Sequence, residues 1–176
     1  MSEAQGDTAF KLKAGLNELR DKLLADLRQL QTTIAETEPA ALDWRPFPES
    51  NSMMILAAHI VGCADEWVVS FAGGLAVERQ RSDEFRATAA HVPSLVAKIE
   101  AVTAKITQVF ASLREDDLSR IVAFPGRAKD HGTVLWSLVH AVEHTSAHFA
   151  ELRLMLHFYR FLSREGLAGE PGGHHD

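Results

Sequence analysis

Long amphipathic segments restrict the fold of this 176-residue chain more than any other feature of its sequence. In the first segment, Leu16, Leu23 and Leu30 belong to a stripe of apolar residues spaced by three and four, which is typical of a helix with one buried face. Comparable segments recur and predict four helices, over about residues 8–36, 52–71, 93–114 and 133–164. Such helices bury their apolar faces against one another, so the sequence predicts an all-α fold, a four-helix bundle.

The ends of the predicted helices coincide with residues that favour helix termini. Ser50 or Ser52 is a suitable N-cap for the second helix, and Thr133 is one for the fourth. Residues 75–92 are more charged and less periodic than the helices that flank them. They predict a long connection between the second and third helices, with a short helix over about residues 83–89.

The composition excludes several classes of protein. The net charge is −6, from 24 acidic and 18 basic residues, and without a basic cluster we expect no nucleic-acid partner. The most apolar run, Met53–Cys63, is shorter than the ~18 residues that indicate a membrane span, so we expect no membrane insertion. A single cysteine and the lack of a basic-then-apolar leader predict a cytoplasmic location. We expect one domain over residues 1–168 and a flexible tail over residues 169–176.

Histidine is the unusual residue of this chain, with nine copies. His140, His144 and His148 follow one another at intervals of four on the fourth predicted helix, so their side chains lie on one face. Two imidazoles at this spacing can reach one metal ion, whereas His140 and His148 are about 12 Å apart along the helix axis and cannot do so together. The spacing alone therefore predicts a pair, either His140 with His144 or His144 with His148.

A third ligand must come from another helix, and His59 is the best candidate. It lies in the apolar sequence Ile55–Val61, where an unpaired imidazole would be costly to bury. Three histidines would leave a position for water or substrate, as in catalytic zinc sites. Alternatively, each histidine is a hydrogen-bonded core residue, the commoner role of an isolated histidine on an apolar face. Cys63, one turn after His59, could be a ligand or a reactive thiol, although a buried core role is the simpler interpretation.

These residues resemble the DinB/YfiT-like family of metal-binding four-helix bundles over nearly the whole chain. The resemblance rests on Trp-Arg-Pro at residues 44–46, on residues 56–60 in a serine-initiated helix, and on residues 138–148. It implies that the metal ligands are His59, His144 and His148. The choice between the two histidine pairs is thereby made against His140.

The resemblance also implies cofactors, partners and an activity. Family members bind a divalent metal, usually zinc or nickel, and commonly form homodimers. Several are thiol-dependent transferases or isomerases that use low-molecular-weight thiols such as bacillithiol or mycothiol. We therefore expect a metal-dependent enzyme in which the ion activates a thiol or water towards a small-molecule substrate. The alternative is a non-catalytic helical bundle that binds a metal or another ligand.

Apolar residues that one bundle need not bury also favour a homodimer, and Trp67, Phe71 and Phe158 are the clearest of them. Such side chains are often covered by a second copy of the same chain. The sequence therefore predicts burial of one helix against another between two copies.

One segment departs from the family pattern. Residues 149–151 are Phe-Ala-Glu where the family often has Arg-Gly-Gln, so Glu151 stands at the glutamine position. A carboxylate three residues after His148 faces the metal side of the helix, where it could orient a ligand, act as a general base or bind the ion. We predict this catalytic or ligand-orienting role for Glu151, and expect His140 to pack beside the ligands. The alternative for Glu151 is a solvated residue paired with Arg153 or with a neighbouring helix.

Overall fold

The structure is a computed structural model that describes residues 3–123 and 131–167 of the chain. Its α-helices are α1 (Glu3–Glu36), α2 (Pro39–Asp43), α3 (Met53–Ala64), α4 (Arg81–Glu84), α5 (Val92–Ser112) and α6 (Val134–Arg164). Asp65–Ala72 continues α3 as a π-helix, and short 3₁₀ helices lie at Ala89–His91 and Glu115–Ser119. The strands β1 (Ile121–Ala123) and β2 (His131–Thr133) form one antiparallel pair, with Val122 opposite Gly132. The predicted all-α class is confirmed for the described residues, with this small strand pair as an addition.

The core lies between the long helices. Both α1 and α3 pack against α5 and α6. Each of these four helices contributes fully buried side chains, for example Leu27, Ile60, Ile99 and Leu138. Full burial of such a side chain stabilises the fold by about 1.5–3 kcal/mol. The apolar stripes that predict the helices therefore also hold them together.

Two of the long helices begin at hydroxyl residues that cap them. The Ser52 hydroxyl accepts a hydrogen bond from the backbone N–H of Ile55 at 3.3 Å, so Ser52 rather than Ser50 caps α3. The Thr133 hydroxyl likewise accepts from the N–H of Trp136 at 3.1 Å and caps α6. Each cap satisfies one of the N–H groups that lack a partner within the helix, typically worth about 1 kcal/mol.

The second long helix changes its register part of the way along. In Asp65–Ala72 the backbone follows the wider π-helical pattern, and the N–H of Gly73 donates to the Val68 carbonyl five residues earlier at 2.9 Å. Gly74 then has a φ of +69°, a conformation that favours glycine, and the helix ends there.

Met53–Ala72 as a whole is a continuous helical stretch of 20 residues, long and apolar enough by composition to cross a membrane. This stretch is longer than the apolar run Met53–Cys63 in the sequence, because the helix continues into the π-helical segment. However, 78% of its most apolar window is buried inside the protein. This burial is what a core helix shows.

The long connection places a charged segment against α3. The short helix predicted over residues 83–89 is shifted, because α4 begins at Arg81 and ends at Glu84. After α4, the backbone N–H of Thr88 donates to Nδ1 of His91 at 3.1 Å, and a 3₁₀ helix forms there instead. α4 packs directly on α3.

The expectations about the C-terminal tail and about apolar residues that one bundle need not bury have different outcomes. The predicted tail, residues 169–176, lies outside the described residues, and the single-domain assignment stays a prediction. Trp67 and Phe71 are each only 8% exposed and pack edge to face within one chain. The view that a single bundle leaves these two exposed is therefore wrong, whereas Phe158 is 54% exposed.

Candidate metal centre

Three histidines meet where α3 and α6 pack side by side. One ring nitrogen of each of His59, His144 and His148 lies within 4.8 Å of one ring nitrogen of each of the other two. The ring centroids of His144 and His148 are 4.5 Å apart, and that of His59 is 5.0 and 5.4 Å from theirs. All three side chains are half-buried. The structure therefore positions three imidazole nitrogens where one metal ion could be bound.

The helical geometry explains this convergence. On α6 the i, i+4 spacing stacks His144 and His148 on one face, one turn apart. Buried Ala141 and Phe149 direct the same region of α6 towards the core and α3. His59 precedes the fully buried Ile60 on α3, so it lies at the edge of the apolar interface between the two helices.

His144 gives the clearest structural reason to expect a cation at this site. Its Nδ1 is buried and has no hydrogen-bond partner among the described residues, a costly arrangement for a polar atom. Burial first, and then the nearby His148 and His59, lower the pKa of His144 to about 4. The imidazole is consequently neutral at neutral pH, which is the form that binds a metal. A divalent ion would use the ring's lone pair and remove the cost of burying it.

His59 is held from outside the histidine cluster by two residues of the long connection. Its Nδ1 lies 3.0 Å from Oε2 of Glu84, the last residue of α4. Arg79 donates to both oxygens of the same carboxylate, from Nε at 2.6 Å and from Nη2 at 2.9 Å. Burial raises the pKa of the Glu84 carboxyl, but the hydrogen bonds from His59 and Arg79 outweigh it and lower the pKa overall. Glu84 is therefore ionised at neutral pH.

Sequence reasoning missed both Arg79 and Glu84. They lie in the charged connection, where no helical period or motif distinguishes them from Glu78, Arg81 or Asp83. Only the packing of α4 on α3 brings them to the site.

Cys63 occupies the space between these groups. Its Sγ is 3.5 Å from Nε2 of His59 and accepts a hydrogen bond from Nη2 of Arg79 at 3.2 Å. The side chain is buried and forms no disulfide. Burial raises the pKa of the Cys63 thiol to about 11 despite the opposing charge of Arg79. In the metal-free protein the group is therefore a protonated thiol that packs in the core.

The other two predicted site residues lie on α6 on either side of His144 and His148. Oε2 of Glu151 is 2.9 Å from Nδ1 of His148, and the Glu151 side chain is 52% exposed. The ring of His140 stacks on Trp136 with centroids 4.9 Å apart, and its centroid is 5.6 Å from that of His144. The structure thus places Glu151 against His148 and His140 against an aromatic side chain.

The protein is therefore a helical protein with a candidate metal centre. Two of its long helices, α3 and α6, bring three histidines to one point. The sequence model of the DinB superfamily matches residues 22–152. The chain belongs to the DinB superfamily, as its sequence resemblance predicts.

Comparison with solved structures supports the fold. A crystal structure of a DinB-like protein from Bacillus cereus is similar with a TM-score of 0.57 and 17% sequence identity, over 85% of this chain and 91% of that chain. At this identity the likeness concerns the fold alone. No curated protein matches the chain significantly.

Proposed function

We propose that this protein is a metal-dependent enzyme of the DinB superfamily, a thiol-dependent transferase or isomerase, with His59, His144 and His148 as ligands of a divalent ion. The observation that carries the proposal is the convergence of one nitrogen from each of these side chains within 4.8 Å. Zinc and nickel are the ions we expect, because imidazole suits both. Three protein ligands leave a position for substrate, which is the arrangement of a catalytic site rather than a structural one.

A bound divalent ion would lower the pKa of a thiol or water and polarise an electrophilic substrate. The chain's own residues would orient the ligands and move protons. Glu151 accepts a hydrogen bond from Nδ1 of His148, and its exposed carboxylate can exchange a proton with solvent. We assign it the role of proton acceptor for the nucleophile. The thiol that we propose as cosubstrate is a separate small molecule, in keeping with the family resemblance.

A non-catalytic bundle that binds a metal or ligand is the second candidate. It is favoured by the segment after His148, where the family often has Arg-Gly-Gln. Phe149 is buried in the core at the arginine position, so that position offers no charge to a substrate. The two candidates share the metal site and differ in turnover.

Elemental analysis of protein purified without added metal tests the shared part of the proposal. We expect about one zinc or nickel ion per chain, and His140→Ala as a matched control on the same helix should retain it. Protein that contains no divalent ion and takes none up on dialysis would contradict the metal site. A screen of electrophilic substrates with bacillithiol, mycothiol and other small thiols then separates enzyme from non-catalytic bundle, since only the enzyme gives metal-dependent turnover.

We also propose a homodimer in the cytoplasm. Leu154, Phe158 and Phe161 follow one another on α6 at spacings of four and three, and are 58%, 54% and 58% exposed. Apolar stripes of this kind often mark an interface. The free thiol of Cys63 agrees with a reducing compartment. Light scattering at micromolar concentration should report a dimer, and a mass of 19.4 kDa would contradict it.

A further inference from the structure

We propose that Glu84, held by Arg79, is a positioning residue of the metal centre, which fixes the tautomer and ring orientation of His59 so that His59 binds the ion through Nε2. This inference rests on the proposed metal site. It concerns residues that neither the helical pattern nor the family resemblance singles out. Hydrogen-bond acceptors on the second nitrogen of a ligand histidine commonly set its orientation.

The distances decide which nitrogen of His59 carries the proton. An ionised carboxylate only accepts hydrogen bonds, so the 3.0 Å contact between Oε2 of Glu84 and Nδ1 of His59 requires a proton on Nδ1. Nη2 of Arg79 is 3.4 Å from the same Nδ1, but a guanidinium only donates and would require a lone pair there. The shorter, charge-assisted contact with Glu84 prevails. The lone pair of the neutral ring is therefore on Nε2, the nitrogen left for an ion.

Glu84 is itself held in place by the protein's own side chains. Arg79 contacts it through two parallel hydrogen bonds, and its Nη1 donates to Oε2 of Glu66 at 2.6 Å. The side chains of Arg79 and Glu84 are only 9% and 6% exposed. A planar guanidinium that binds a carboxylate through two bonds fixes its direction as well as its position. The orientation of His59 is consequently supported by buried side chains of the protein itself.

The helix that carries His59 leaves room for this carboxylate. A Cβ at Gly62, three residues after His59, would overlap Oε1 of Glu84 and would lie 3.0 Å from Nε of Arg79. Glycine inside a helix lowers stability relative to alanine. A glycine in the middle of the buried α3 therefore provides space for Glu84, which is independent evidence that the carboxylate is built into the site.

Metal titration of the full-length protein tests the positioning role. Glu84→Gln should weaken Zn²⁺ affinity by about 10–100-fold, measured by competition with a chromophoric chelator, because the amide cannot serve both Arg79 and His59 as the carboxylate does. Glu66→Gln is the matched control, since Glu66 contacts Arg79 and not His59, and should change the affinity by no more than about 5-fold. Equal affinities of the parent and Glu84→Gln would overturn the inference.

A readout without metal keeps this inference separable from the proposed function. In the metal-free parent, nitrogen-15 NMR of the imidazoles should show His59 protonated on Nδ1, with His59→Ala used to assign the signals. Glu84→Gln should shift the proton towards Nε2. A parent that binds no metal would reject the proposed function, while the NMR result would still show whether Glu84 sets the tautomer. Unchanged His59 signals in Glu84→Gln would overturn the inference on their own.

A second variant tests the position of Glu84 without altering any polar group. Gly62→Ala should displace the carboxylate from His59 and weaken Zn²⁺ binding by a factor similar to that of Glu84→Gln. Glu84→Asp keeps the charge opposite Arg79 and should bind with intermediate affinity. These two variants decide the question if Glu84→Gln does not fold. Parent-like affinity in both would overturn the positioning role.

Discussion

The site contains two carboxylate–histidine pairs with nearly the same geometry and very different surroundings. Nδ1 of His59 is 3.0 Å from Glu84, and Nδ1 of His148 is 2.9 Å from Glu151. Glu84 is 6% exposed and is held by Arg79, whereas Glu151 is 52% exposed and lies one helical turn after its histidine. Distance therefore does not distinguish the two pairs, but burial and neighbours do.

This difference determines what each pair can do. An exposed pair is surrounded by water and salt, and it contributes about 0–1 kcal/mol. A buried pair interacts more strongly, and loss of one partner leaves an uncompensated charge inside the protein. The Glu84 side is consequently suited to fixing a ligand, and the Glu151 side to exchanging protons with solvent.

The largest effect should come from removing any one of the three proposed ligand histidines. Single His59→Ala, His144→Ala and His148→Ala variants should each lose stoichiometric metal, because two imidazoles hold a divalent ion much less tightly than three. The loss of metal should be similar for His59, which pairs with a buried carboxylate, and for His148, which pairs with an exposed one. Elemental analysis after dialysis measures it. His140→Ala should retain the ion. A ligand variant with a full complement of metal would remove that residue from the site.

The buried pair should matter for folding even without metal. Arg79→Met leaves the Glu84 carboxylate buried without its cation, and should lower the free energy of unfolding by about 3–5 kcal/mol. On the exposed side, Glu151→Ala should change it by no more than about 0.5 kcal/mol. Urea denaturation of the metal-free proteins measures both. Similar small losses in the two variants would mean that burial does not separate the pairs.

Metal loading should stabilise the parent by linkage. With free Zn²⁺ at 100 times its dissociation constant, the free energy of unfolding should rise by about 2.7 kcal/mol. Excess chelator should reverse this gain, and His59→Ala should show none of it. Thermal melts of parent and variant, with and without the ion, provide the measurement. A melting temperature that does not respond to metal would contradict specific binding to the folded chain.

The smallest effect on affinity should come from the exposed carboxylate. Glu151→Gln keeps the shape and one acceptor, so Zn²⁺ affinity should fall by no more than about 5-fold. A proton-transfer step of any turnover should slow, because an amide cannot act as a base. Chelator competition and rate measurements at the same pH test the two parts. An affinity loss as large as that of Glu84→Gln would mean that the exposed pair also fixes its histidine.

The fold was predictable where a local pattern determines structure. The apolar stripes predicted the long helices, and hydroxyl residues predicted the caps at Ser52 and Thr133. The π-helical register of Asp65–Ala72 was not predictable, since no spacing in the sequence distinguishes this segment from the α-helix that it continues. α4 has only four residues, too few to show a helical period.

The same limit applies to the site. The interval between His144 and His148 indicates that they are adjacent, and the apolar surroundings of His59 mark it as unusual. Arg79 and Glu84, in contrast, are 20 and 25 residues from His59 along the chain and come from a segment without regular spacing. Their approach to His59 is a property of tertiary packing, which a single sequence does not display.

The close approach of Gly62 and Glu84 should couple the evolution of these two positions. A side chain at position 62 and a glutamate at position 84 compete for the same volume, so substitutions there should be strongly epistatic. A lineage can enlarge residue 62 without penalty only after residue 84 has become smaller, and the reverse path must follow the opposite order. In relatives that keep all three histidines, we expect residues 62 and 84 to vary together.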